Sequence, residues 1–137
     1  MLSYDIVIYA LLGGIIPAIF WLEFWLREDS HQEPRHIILG SFLLGMATVV
    51  IAIPLEHIAT LFFPNYGADT LFLWAAIEEI VKYGAAYLIA IRTRFNDEPI
   101  DATIYLITAA LGFAALENIL FLIGPLADGN VVKGIVT

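Results

Sequence analysis

The chain has 137 residues, 61% of them hydrophobic and only 15% charged, where a soluble domain is nearer about a quarter charged. A core of this size cannot hide so much apolar surface from water, which excludes an ordinary soluble domain and makes lipid the fitting solvent. A formal charge of −8 with six Lys plus Arg argues against a nucleic-acid partner, and the lack of cysteine excludes disulfides and thiolate metal sites.

A spanning helix needs about 20 mostly apolar residues. Four segments qualify: residues 6–26, 37–63, 70–91 and 100–123. The sequence therefore predicts an all-α, polytopic transmembrane helical bundle of about four spans, forming a single membrane domain over residues 1–137. The N-terminus lacks the basic start of a signal peptide, so the first segment reads as a retained span. It carries Pro17, and Trp21 and Trp25 near its end, where amphipathic aromatics mark an interface.

The loop after span one holds Arg27 and Arg35, and that after span three holds Arg92 and Arg94. The loop after span two has no basic residue and the tail only Lys133. The positive-inside rule then puts the first and third loops in the cytoplasm and both termini outside. Glu23, Glu28, Asp29 and Glu33 read as a solvated cytoplasmic face. His31, Glu33 and His36 lack the spacing of a helical zinc motif, so no dedicated metal site is expected.

Span two contains Pro54, which removes a backbone donor, and a stripe of small residues, Ser41, Gly45, Thr48 and Ala52. Ala76, Glu79, Ala86 and Ala90 form a similar stripe on span three, and Ala110 and Ala114 precede Glu117 on span four. Such faces let helices approach closely, and each leads toward a carboxylate.

Span three reads Glu78-Glu79-Ile80-Val81-Lys82 near its middle. Charges there cost on the order of 2.5–3.5 kcal/mol each on insertion scales. Lys82 is three residues from Glu79 and four from Glu78, so it can pair with either. One carboxylate beside one ammonium is a neutral structural pair; the second carboxylate has no such explanation. Two adjacent carboxylates at one cation in low dielectric are poised to share a proton, which makes one of them a candidate general base. A buried ion-pair network that fixes helix packing is the competing explanation.

Span four carries Glu117 and Asn118 within apolar sequence. The Asn amide can donate to a developing oxyanion or simply bond a neighbouring helix. At about 1.5 Å per residue, Glu79 lies ~15 Å from the outer end of span three, and Glu117 and Glu56 ~10 Å from the outer ends of theirs. The three can share one level in a wet pocket. His57, beside Glu56, reads as an interfacial residue, and Asp101 as a cap after Pro99.

These residues resemble the PrsW family of intramembrane proteases, within a superfamily that includes the CAAX prenyl endopeptidases and bacteriocin-immunity-type membrane proteins. The likeness rests on Pro17, Trp21-Leu22, Asp29 and Glu33-Pro34; on Gly45 and Glu56; on the EExxK motif, Glu78 to Lys82; and on the run from Glu98-Pro99-Ile100-Asp101 to the FxxxEN motif, Phe113 to Asn118. Ala102 and Ala110 depart from favoured glycines. The resemblance covers most of the chain and implies a glutamic-type peptidase acting on a membrane-associated protein. Glu79 with Glu78 would activate water, Glu117 and Asn118 would complete the catalytic group with Asn118 as oxyanion donor, and Lys82 and Glu56 would support them. No cofactor is identified, although the same carboxylates are also hard-cation ligands. Family members usually continue through further spans that bring a His. The resemblance therefore implies a missing C-terminal part, with a further chain or homo-oligomer able to complete the site. A non-catalytic scaffold or immunity-type binding protein that keeps the polar core is the alternative, and a proton relay a third.

Overall fold

The computed structural model describes residues 4–28, 31–63 and 67–128. Four α-helices account for most of them: α1 (Tyr4–Arg27), α2 (Arg35–Phe62), α3 (Ala68–Ala86) and α4 (Asp101–Ala127). A π-helical turn, Tyr87–Ile91, continues α3 without a break. The expected spans 6–26, 37–63 and 100–123 fall on α1, α2 and α4, and 70–91 on α3 with its π turn. No strand occurs among the described residues. The chain is an all-α membrane bundle. Asp29, Lys133 and the tail beyond Asp128 lie outside the described residues.

Helices α1, α2 and α4 are each long and apolar enough to cross a bilayer. Helix α3 carries Asp69, Glu78, Glu79 and Lys82 and does not qualify by composition alone. It is held in the bundle by its neighbours. Large apolar side chains such as Ile16, Phe20, Val50, Leu61 and Phe72 stand exposed, as expected where lipid is the solvent. Near the end of α1, Phe20, Trp21, Phe24 and Trp25 form a ladder of edge-to-face rings on that outer surface.

Helix α4 is central. Both α1 and α2 pack chiefly on it, and α3 packs on α2 and α4. Small residues make this possible. A Cβ on Gly45 would stand 2.1 Å from the Ala109 carbonyl oxygen, and one on Gly112 would stand 2.0 Å from that of Phe42. Helices α2 and α4 therefore meet backbone to backbone at two reciprocal glycine contacts. On the other side of α4, a Cβ on Gly14 would stand 2.6 Å from the Ala115 carbonyl oxygen.

The small stripe read on span two is the buried face of α2: Ser41, Gly45, Thr48 and Ala52 are all buried. On α3 the expected stripe is buried only toward its end, at Ala86 and Ala90. On α4 the packing face lies beside the expected one. Ala109, Gly112, Phe113 and Ala115 are buried, while Ala110 and Ala114 are half-buried. Two buried hydroxyls bond back to their own helix, Thr48 to the Gly45 carbonyl at 2.6 Å and Thr108 to that of Ile104 at 2.7 Å. This satisfies them without a partner helix.

The connections α1–α2 and α3–α4 lie at the same end of the bundle. His31 meets the Glu98 carboxylate at 2.8 Å, and the Tyr105 hydroxyl donates to Glu33. The expectation that the first and third loops share one side is thereby met.

Candidate active site

Three helices bring ionisable side chains together within the apolar slab. On α3, one helical turn carries Glu78, Glu79 and Lys82. The Lys82 ammonium donates to Glu78 Oε2 at 2.9 Å and to Glu79 Oε1 at 3.0 Å. Both bonds follow from helix geometry, since side chains three and four apart lie on neighbouring faces. The ammonium also stands 4.5 Å over the centroid of the Phe113 ring, a cation–π contact in a low-dielectric setting. Phe113 is fully buried on α4, against Val49 and Ala52 of α2.

The EExxK and FxxxEN motifs thus meet directly, through the lysine of one and the phenylalanine of the other. Phe113 and Glu117 are four residues apart, so the ring contact turns Glu117 toward the same region. Glu117 is within electrostatic reach of Glu78, Lys82 and Glu56, and Glu56 on α2 is within reach of Glu78 and Lys82. All three carboxylates are half-buried. The Trp74 indole N–H donates to the Glu56 carbonyl oxygen at 3.2 Å, which docks α3 on α2 at this level.

The tandem glutamates divide. The Glu78 side chain is 27% exposed and lies within electrostatic reach of Glu56 and Glu117, whereas that of Glu79 is 76% exposed. Glu79 lines a shallow groove of about 440 Å³ between α3 and α4, with Lys82, Tyr83, Leu106, Ile107 and Ala110. Glu79, expected at one level with Glu56 and Glu117, is not among the groups within electrostatic reach of either, whereas Glu78 is. Lys82 belongs to both environments. Asn118 is exposed and sits about 100° around α4 from Glu117, so the two do not share a face. His57 is exposed at the surface of α2.

A second polar group lies at the loop end of the bundle, about 24 Å along α4 from Glu117. Asp101 is fully buried, and its Oδ2 accepts the backbone N–H of Asp97 at 2.9 Å and of Glu98 at 2.7 Å. The carboxylate reaches back into the preceding loop instead of capping the helix ahead. Glu33, Asp97 and Asp101 each offer an oxygen within 4.8 Å of the others. The sequence reading placed Glu33 on a solvated face. Sixty-four positions separate Glu33 from Asp97, and the signal available was the pair of Glu-Pro steps, Glu33-Pro34 and Glu98-Pro99, flanking the two loops.

Comparison with known proteins gives one consistent result. The family described as PrsW family intramembrane metalloprotease matches residues 33–137. The chain is 36% identical over 129 residues to Protease PrsW of Bacillus subtilis (strain 168), covering 90% of this chain and 58% of that protein. It is 31% identical over 126 residues to Protease PrsW of Geobacillus kaustophilus (strain HTA426), covering 90% and 56%. For Protease PrsW of Clostridioides difficile (strain 630), identity is 30% over 119 residues, covering 81% and 49%. The chain thus spans about half the length of the curated relatives it matches. No solved structure matches it.

Proposed function

The chain belongs to the PrsW family of intramembrane metalloproteases, and from that premise we propose that it hydrolyses a peptide bond of a membrane-associated protein at the charged cluster of α2, α3 and α4. The observation that carries this reading is the convergence of Glu56, Glu78 and Glu117, from three helices, around Lys82. Packing alone does not call for three carboxylates and one ammonium in the apolar slab, where ionisable groups are expensive and mark function.

In this reading a water held between Glu78 and Glu117 gives a proton to Glu78 as its oxygen attacks the scissile carbonyl carbon. The oxyanion forms beside the Lys82 ammonium, which the two glutamates hold in place. The C–N bond then breaks, and the departing nitrogen takes the proton from Glu78. Glu79 lies on the open side of the same lysine and positions it, and Asn118 is the amide donor that an entering peptide would meet at the surface of α4. Glu56 adds a third negative charge within electrostatic reach of both Glu78 and Lys82. A further chain or a second copy of this one would complete the site from the open side of α3, where Glu79, Tyr83 and Tyr87 are exposed. The cluster lies nearer the end of the bundle opposite the arginine-bearing loops, which is the outer side under the positive-inside rule.

The family's description implies a metal. The membrane carboxylates of this chain do not fit one as they stand: Lys82 holds Glu78 and Glu79. Among the described residues, moreover, the only three acidic or histidine ligand atoms within 4.8 Å of one another belong to Glu33, Asp97 and Asp101. The steps above therefore run through side chains alone.

The test is cleavage of a fluorogenic transmembrane peptide by the full chain in liposomes. Glu78→Gln and Glu117→Gln should each abolish turnover while leaving the protein folded by circular dichroism. Glu79→Gln should slow it less than Glu78→Gln does. Cleavage that survives both Glu78→Gln and Glu117→Gln would remove this cluster as the reactive centre.

A further inference from the structure

The loop end of the bundle carries a concentration of negative oxygen that the membrane cluster does not explain. Glu33 precedes α2, Asp97 lies in the α3–α4 connection, and Asp101 opens α4, so three separate segments contribute. Their ligand oxygens lie within 4.8 Å of one another, about the span of two oxygens on opposite sides of a cation with ~2.4 Å bonds.

The convergence of carboxylates is one observation, and Asp101 supplies an independent one. This residue is 0% exposed, and while its Oδ2 accepts two backbone N–H groups, its Oδ1 has no hydrogen-bond partner. A carboxylate oxygen buried without a donor or a cation is costly, because nothing replaces the water it has lost. The Tyr105 hydroxyl joins the group, lying against both the Glu33 carboxylate and the Phe95 carbonyl oxygen, the latter at 3.0 Å. The ligands on offer are all oxygen, from carboxylates and a main-chain carbonyl, which is the donor set of a hard cation and not of zinc.

We propose that Glu33, Asp97 and Asp101 bind a hard divalent cation of the Ca²⁺ or Mg²⁺ class at the loop end of the bundle, with Asp101 Oδ1 as the buried ligand. The site is separate from the membrane carboxylates and does not depend on the peptidase reading. Bound there, the cation ties the α1–α2 connection to the α3–α4 connection and to the first turn of α4, the central helix. Its effect is then on the stability and relative placement of the helices.

The experiment uses the full chain in an uncharged detergent, stripped with EDTA and titrated separately with Ca²⁺ alone and Mg²⁺ alone. Isothermal titration calorimetry should show one site per chain for at least one of the two. The same cation should raise the unfolding midpoint, since a ligand that binds only the folded state stabilises it. Whichever ion binds more tightly identifies the class member. Asp101→Asn keeps an acceptor for the Asp97 and Glu98 N–H groups but should abolish both the heat and the shift. Asp97→Asn alters an exposed side chain, so folding is not at risk, and should weaken binding by at least about tenfold. Glu23→Gln, an exposed change at the end of α1, should leave both readouts intact. Failure of both cations to bind wild type would overturn the proposal. Undiminished binding to Asp97→Asn, or to a folded Asp101→Asn, would do the same.

Discussion

Replacing Lys82 by Met removes the ammonium that both tandem glutamates reach, and it tests the asymmetry between them. The Lys82 side chain is 15% exposed and that of Glu78 27%. Loss of the cation leaves Glu78 with a half-buried charge and no counter-ion, so Lys82→Met should destabilise the fold by about 3 kcal/mol, the lower end for breaking a buried pair. The sharper quantity is the coupling energy from two double-mutant cycles. Glu78·Lys82 is a charge-assisted bond within the bundle and should couple by about 1.5–3 kcal/mol. Glu79 is 76% exposed, in a groove that the charge itself requires to be wet. Solvent then screens it, and Glu79·Lys82 should couple by under about 1 kcal/mol. The single and double variants, with Gln for Glu and Met for Lys, can be unfolded by titration of sodium dodecyl sulfate into mixed micelles and followed by circular dichroism. A Glu79·Lys82 coupling equal to or above that of Glu78·Lys82 would refute the division into an inner and an outer glutamate. It would mean instead that the groove is dry or that Glu79 faces the other carboxylates.

Two further outcomes test the fold and its orientation. Gly45→Val places a side chain where the Ala109 carbonyl oxygen lies only 2.1 Å from a Cβ, and it should cost about 3 kcal/mol by forcing α2 and α4 apart. Gly84→Ala, with nothing within 4 Å of its Cβ, should instead be neutral or stabilise by up to ~1 kcal/mol; the same micelle titration reads both. For orientation, the absence of cysteine makes single-cysteine variants free of background. In intact cells a membrane-impermeant maleimide should label Gly67→Cys and Asp128→Cys but not Glu28→Cys. Labelling of Glu28→Cys alone would invert the assignment of sides.

Much of the bundle is legible in the sequence. Four apolar stretches became four helices, and the boundaries near Arg27, Arg35 and Ile91 fall where charge and loop residues interrupt the runs. The bonds of Lys82 to Glu78 and Glu79 follow from spacing within one helix, and so were legible. The buried face of α2 was visible too, because small residues at helical intervals have few other uses in a membrane. The face of α4 was not. Its apolar residues are spread over every side, as in a helix with neighbours on several sides. Periodicity therefore could not separate Ala110 and Ala114 from the Ala109, Gly112 and Ala115 that make the contacts.

Local sequence determined what could be computed one helix at a time: lipid as the solvent, the number and length of the helices, and the pairing of charges a turn apart. Those properties depend on transfer free energy and on the fixed rise and twist of a single helix. Which helix is central, which of two adjacent glutamates turns inward, and that Glu33 meets Asp97 and Asp101 were decided only by packing between helices. Adjacent residues on a helix point about 100° apart, and only the position of the neighbouring helices makes one of those directions the inside.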